Sequence, residues 1–117
     1  MLSATTPENA PRVDNPFRLD AHRLFSSPEL EIVHIHLPPG AALVRHAAPV
    51  DTAFYVVTGT ATIESDAGRV KARAGTLVPH PKETFHQVRN QASGRLEFLV
   101  IKAPRPAAPP RMDTQDH

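Results

Sequence analysis

The chain has 117 residues, enough for one domain with a buried core, and a formal net charge of +1 with acidic and basic residues interspersed. It shows no basic stripe, no run of like charge and no long apolar segment, which argues against nucleic acid and membrane partners. Cysteine is absent, which removes disulfides, thiolate nucleophiles and Cys-ligated metal sites.

Residues 1–15 are polar, carry Pro7 and Pro11, and lack periodicity; a flexible tail or an arm on the domain surface is expected. No basic and apolar leader opens the chain, so the expected location is cytoplasmic. Phe17 to Phe25 predicts a first edge strand, ended by Ser26-Ser27-Pro28. Glu29 to Leu37 is a strong strand pattern, with Val33, Ile35 and Leu37 on one face and Ile32, His34 and His36 on the other. Pro38-Pro39-Gly40 ends it, and Ala41 to Arg45 is a short strand leading to His46.

In Phe54 to Glu64 two apolar, β-branched runs meet at Gly59, which predicts a strand pair with the glycine at a tight bend. Arg69 to Arg73 alternates polar and apolar as a half-exposed strand does. Thr76 to Val78, His86 to Arg89 and Leu96 to Lys102 follow as strands, separated by Pro79-His80-Pro81 and a turn at Gln91 to Gly94. Residues 104–117 are proline-rich and then polar, and are expected to form a second flexible or extended tail. Short strands with regular turn signals and no helical period predict an all-β sandwich or barrel over residues 16–103. Its remaining edges invite a second copy, so a homodimer is expected.

Within this frame Gly40, His46, Ala48, Thr52 and Gly59 fall in register on the pattern G-x5-H-x-H-x3-E-x6-G, and Gly75, Pro81, Glu83, His86 and Asn90 on G-x5-P-x-G-x2-H-x3-N. Tyr55-Val56-Val57-Thr58-Gly59 is similar to a third common segment of the same family. The chain from Phe17 to Ala103 thus resembles a small single-domain cupin, and the resemblance implies a double-stranded β-helix (jelly-roll) barrel. It also implies a divalent metal held by the motif histidines and glutamate, and carries over His46 and His86 as ligands. Ala48 and Thr52 stand where the family has its other two, and neither is a useful ligand. A third donor is sought in His80, between two prolines, or in His36, if its strand face points inward.

A His-rich site of this kind suits zinc, nickel, iron, manganese or copper. The plainer alternatives are a loop position for His80 and a solvated or dimer-facing strand surface for His34 and His36. The resemblance implies chemistry on a small organic substrate, of the dioxygenase or isomerase kind. The alternative is a metal-free small-molecule pocket, with Val44, Phe54, Val56 and Val88 as apolar walls and His46 and His86 as polar anchors. A barrel acting only as scaffold is the third reading.

Overall fold

The computed structural model describes residues 2–113, so Met1 and the last four residues of the proline-rich tail lie outside the described residues. The fold is all-β. Among the described residues ten strands run in chain order: β1 (Asp20–Ser27), β2 (Leu30–Leu37), β3 (Ala42–Ala47), β4 (Asp51–Thr58), β5 (Thr60–Ser65), β6 (Gly68–Arg73), β7 (Leu77–His80), β8 (Phe85–Arg89), β9 (Leu96–Ala103) and β10 (Arg111–Met112). They form two antiparallel sheets, β1-β2-β9-β4-β7 and β10-β3-β8-β5-β6, which face each other as a jelly roll. Among the described residues no helix is long and apolar enough to cross a membrane.

The register of the first sheet stacks its inward side chains in rows. Leu37 faces Leu96; Ile35, Phe98 and Val56 form the next row; Val33, Val100, Phe54 and Val78 the one above. The other sheet answers with Leu43, Val88 and Ile63, and with the Ala61–Ala72 pair. Phe54 and Phe98 are 1% and 0% exposed and meet edge to face at 5.7 Å, so their burial is about 2–3 kcal/mol each of the core's stabilisation. These apolar rows are the period-2 residues of the sequence pattern, now on one side of each sheet.

Gly59 has a different role from the expected one. The strands on either side of it do not pair: β4 belongs to the first sheet and β5 to the second. Gly59 is therefore a corner at which the chain crosses between sheets, with φ of +87° and the Arg95 carbonyl packed against its α-carbon. The hairpin in this region is β5–β6, which turns at Ser65 and Gly68.

Asn90, the last residue of the second motif, is 1% exposed. Its amide donates to the carbonyls of Leu37 (2.9 Å) and Gly94 (2.8 Å), while its side-chain oxygen accepts from Ala92 N–H (3.2 Å). It ties the end of β2 to the β8–β9 turn. Asn90→Ala leaves these backbone groups without partners, with an expected loss of about 2–3 kcal/mol; urea unfolding checks this, and a loss below about 0.5 kcal/mol would speak against the tie.

Residues before β1 form an arm over the open end of the barrel. Asn15 organises it, accepting from the N–H groups of Phe17 and Leu19 and donating to the carbonyls of Val13 and Leu19. This closed turn takes Phe17 to Leu19 out of the first strand, which begins at Asp20. Val13, Phe17 and Leu19 pack on the core. At the other end of the chain Arg111 and Met112 add a short strand to the edge of β3.

Candidate functional site

Above the apolar rows, at the end of the barrel under the arm, the inward residues turn polar. Glu31, Lys102, Thr52 and His80 are consecutive ladder partners on β2, β9, β4 and β7, so they form one row across the first sheet. On the facing sheet His46 and His86 are direct partners on β3 and β8. A bulge between Leu43 and His46 puts both of these side chains inside, although they are three positions apart. The same bulge turns Val44 outward, where it is 48% exposed; it does not line the pocket as strict alternation predicts. Phe54, Val56 and Val88 do face the interior.

Three imidazoles meet here. The ring centres of His46 and His86 are 4.6 Å apart, as are those of His80 and His86. The Phe54 ring meets His80 and His86 at 5.1 and 5.0 Å, and Phe17 of the arm lies 4.8 Å from His46. His80 is 6% exposed, so it is an interior residue and not part of a solvated loop. It stands across the ladder from Thr52, the position where the family pattern has glutamate.

The protonation states follow from these surroundings. Burial, helped by the repulsion that protonated His46 and His80 would exert and by Lys102, pushes His86 down to about 3; only the Thr84 backbone acts the other way. Burial also lowers His80, and lowers His46 against the opposing pull of the Val44 carbonyl. All three rings are therefore neutral near pH 7 and carry a free lone pair. For His46 the tautomer is set: a carbonyl can only accept, so Nδ1–H donates to Val44 at 2.7 Å and the lone pair is on Nε2. Both nitrogens of His86 and Nε2 of His80 are buried with no hydrogen-bond partner. Buried polar atoms in this state point to water, an ion or a ligand as the missing partner.

His36 is not in this group. Its strand face is the outer one, and its Nδ1 lies 3.6 Å from Asp20 in a surface patch with His22 and His34. The reason is alternation: Val33, Ile35 and Leu37 occupy the core, which sends His34 and His36 to the other side. His34 pairs there with Glu97 at 3.0 Å. Tyr55 is also on the outer face, opposite Leu77 and Leu99. Asp51, beside the missing glutamate position, is exposed and accepts a hydrogen bond from Lys82 N–H at 2.9 Å. Glu83 takes the place of a family glycine in the left-handed region, with φ of +63°.

The donor set fits a borderline transition metal in kind and number: three neutral imidazoles, one with its orientation fixed by a backbone carbonyl. Their aim is less complete, since no group of three or more His, Cys, Asp or Glu side chains among the described residues is arranged to hold an ion as the rings stand.

Sequence reasoning missed Glu31 and Lys102. Their signal was present, for both continue an apolar face: Glu31 precedes Val33, Ile35 and Leu37, and Lys102 follows Leu96, Phe98 and Val100. Glu31 is 8% exposed and lies 3.5 Å from Arg23 Nε. Burial lowers the Lys102 ammonium, and Glu31 across the ladder opposes that shift.

Comparison with known proteins agrees with this architecture. KdgF from Halomonas sp. superposes with a TM-score of 0.78 at 18% identity, over 92% of this chain and 97% of that one. A double-stranded β-helix protein of Klebsiella pneumoniae gives the same TM-score at 16% identity, over 97% of this chain and 100% of its own. A cupin 2 conserved barrel domain protein from Salinispora arenicola is 26% identical, with a TM-score of 0.71 over 86% of this chain and 87% of that one. No curated protein matches the sequence at a significant level. The family model of the cupin domain matches residues 33–102, more than half of the chain, from the core face of β2 to Lys102. The chain belongs to the cupin family.

Proposed function

We propose that the barrel mouth is a reduced cupin metal site, in which His46, His80 and His86 hold one divalent transition metal beside a pocket for a small organic substrate. The observation that carries this reading is the meeting of three neutral imidazoles from three strands, with three ring nitrogens of His80 and His86 left without partners. Three protein ligands are the usual complement of a catalytic zinc site, whose remaining positions admit water or substrate. His80 replaces the missing glutamate from the neighbouring strand, while Ala48 and Thr52 contribute no donor.

A metal held there supplies Lewis acidity to a carbonyl or enolate oxygen, and with iron the means to activate dioxygen. The chain's own part is to exclude water with Phe17, Phe54 and the arm, and to keep the imidazoles unprotonated at neutral pH. The second reading is metal-free: the same nitrogens hydrogen-bond a bound small molecule, which the incomplete convergence of the rings favours.

Elemental analysis of the full chain, purified without chelator, separates the two. The metal reading expects close to one transition-metal ion per chain. It also expects His80→Ala to weaken zinc binding at least about 100-fold, beyond what loss of an outer-shell partner costs. His36→Ala serves as a control and should leave the stoichiometry unchanged. Equal metal content in wild type and His80→Ala, with both folded by circular dichroism, would sink the assignment.

A further inference from the structure

We propose that the barrel mouth binds a small organic anion, a carboxylate with a compact apolar body, and that Lys102 is the residue that receives its charge. The inference names a ligand class for the pocket of the proposed function, but it holds whether or not a metal is bound.

The argument begins with register. Lys102 occupies the inward face of β9, one row above Val100. It lines a cavity of about 100 Å³ together with Val33, Leu43, Val100, Phe17 and His46. That is room for about three waters, or for one molecule of a few heavy atoms. The walls are mostly aliphatic and aromatic, and His46 places an imidazole at the same cavity. A ligand anchored at Lys102 therefore extends its body along apolar residues toward the histidines.

Charge accounting gives the sign of the ligand. Of the acidic and basic side chains, Glu31 and Lys102 line this cavity, and Arg23 stands beside Glu31. Arg23 takes up Glu31 in an ion pair at 3.5 Å. Among the described residues the Lys102 ammonium has no side-chain hydrogen bond and no ion pair; Glu31 acts on it only at longer range. Two cations and one anion leave the mouth with one positive charge in surplus. An ammonium withdrawn from water without a close counter-ion is costly, and a ligand carboxylate restores the lost interaction. Apolar walls around one such cation select a compact monocarboxylate over a polyanion or a neutral polar molecule.

The test uses the full chain treated with chelator, so a failure of the metal reading does not touch it. Butyrate is titrated in low-chloride buffer, with butyramide as its uncharged isostere, and binding is followed by two-dimensional amide NMR. Saturable shifts with butyrate around β9 and β3, and at least about tenfold weaker binding of butyramide, are expected. Lys102→Met should reduce butyrate binding about tenfold or more, while its thermal stability stays at or above the wild-type level and its zinc stoichiometry is unchanged. Lys102→Arg should retain most of the affinity. Equal binding of butyrate and butyramide, unchanged butyrate binding in Lys102→Met, or no saturable shift up to tens of millimolar would each overturn the proposal.

Discussion

Gly59→Ala is expected to destabilise the chain by about 4 kcal/mol, lowering Tm by roughly 15 °C. Two effects add. A φ of +87° is strained for any L side chain, and an added β-carbon would lie 2.3 Å from the Arg95 carbonyl oxygen. That oxygen belongs to the backbone just before β9, the central strand of the first sheet, so it cannot turn aside as a flexible side chain would. Gly75→Ala is the comparison. Its φ is +89°, but nothing lies within 4 Å of the added carbon, so only the conformational part remains, about 1–2 kcal/mol. Urea unfolding of the two variants, with unchanged m-values, measures the difference. Equal losses would mean that the Gly59 corner is not packed against β9.

Acid should weaken the metal-free protein well above the ordinary carboxylate range. His86 has its folded-state value pushed down to about 3, against an unfolded value of 6.5. The unfolded chain therefore binds the extra proton first, and stability falls as pH drops below about 6.5, at about 1.4 kcal/mol per pH unit for one such group. By pH 4 this is about 3 kcal/mol from His86 alone, and it stops growing near pH 3. His46 and His80 are shifted in the same direction and steepen the loss. Unfolding free energies at pH 7, 6, 5 and 4, on chelator-treated protein, give the slope. His86→Gln should flatten it by close to one proton. A stability that is level from pH 6.5 to pH 4, or a slope indifferent to that substitution, contradicts a buried neutral imidazole.

The strands and the two motif histidines were legible in the sequence because both depend on period-2 register, which a linear pattern records. His46 and His86 come together as ladder partners, as the family resemblance implies. What the pattern does not record is any departure from strict alternation or any partner distant along the chain. The bulge in β3 reverses Val44, and only three-dimensional pairing shows it. At Gly59 the same glycine signal serves a hairpin or a corner, and the choice is made by β9 and β7, which occupy both sides of β4 and leave no place beside it for β5. His80 and Thr52 are far apart in sequence, so their pairing is visible only across the β4–β7 ladder. Lys102 and Glu31 are legible in principle, as charges that continue an apolar face, but strand patterning alone assigns them no role.

The layering of the first sheet separates two tasks that many small domains must combine. Leu37, Phe98, Phe54 and their row-mates hold the roll together, and the single row above them carries the polar and charged groups of this sheet's inner face. Away from His80, which meets the Phe54 ring at 5.1 Å, a substitution in that top row leaves the packing beneath it largely untouched. It can therefore persist in a population as a nearly silent change until a neighbour on the next strand makes it useful. Thr52 and His80, partners across the β4–β7 ladder, are a pair at which a change on one strand can be answered on the next. On this view the chain is a fold whose rim is open to refitting.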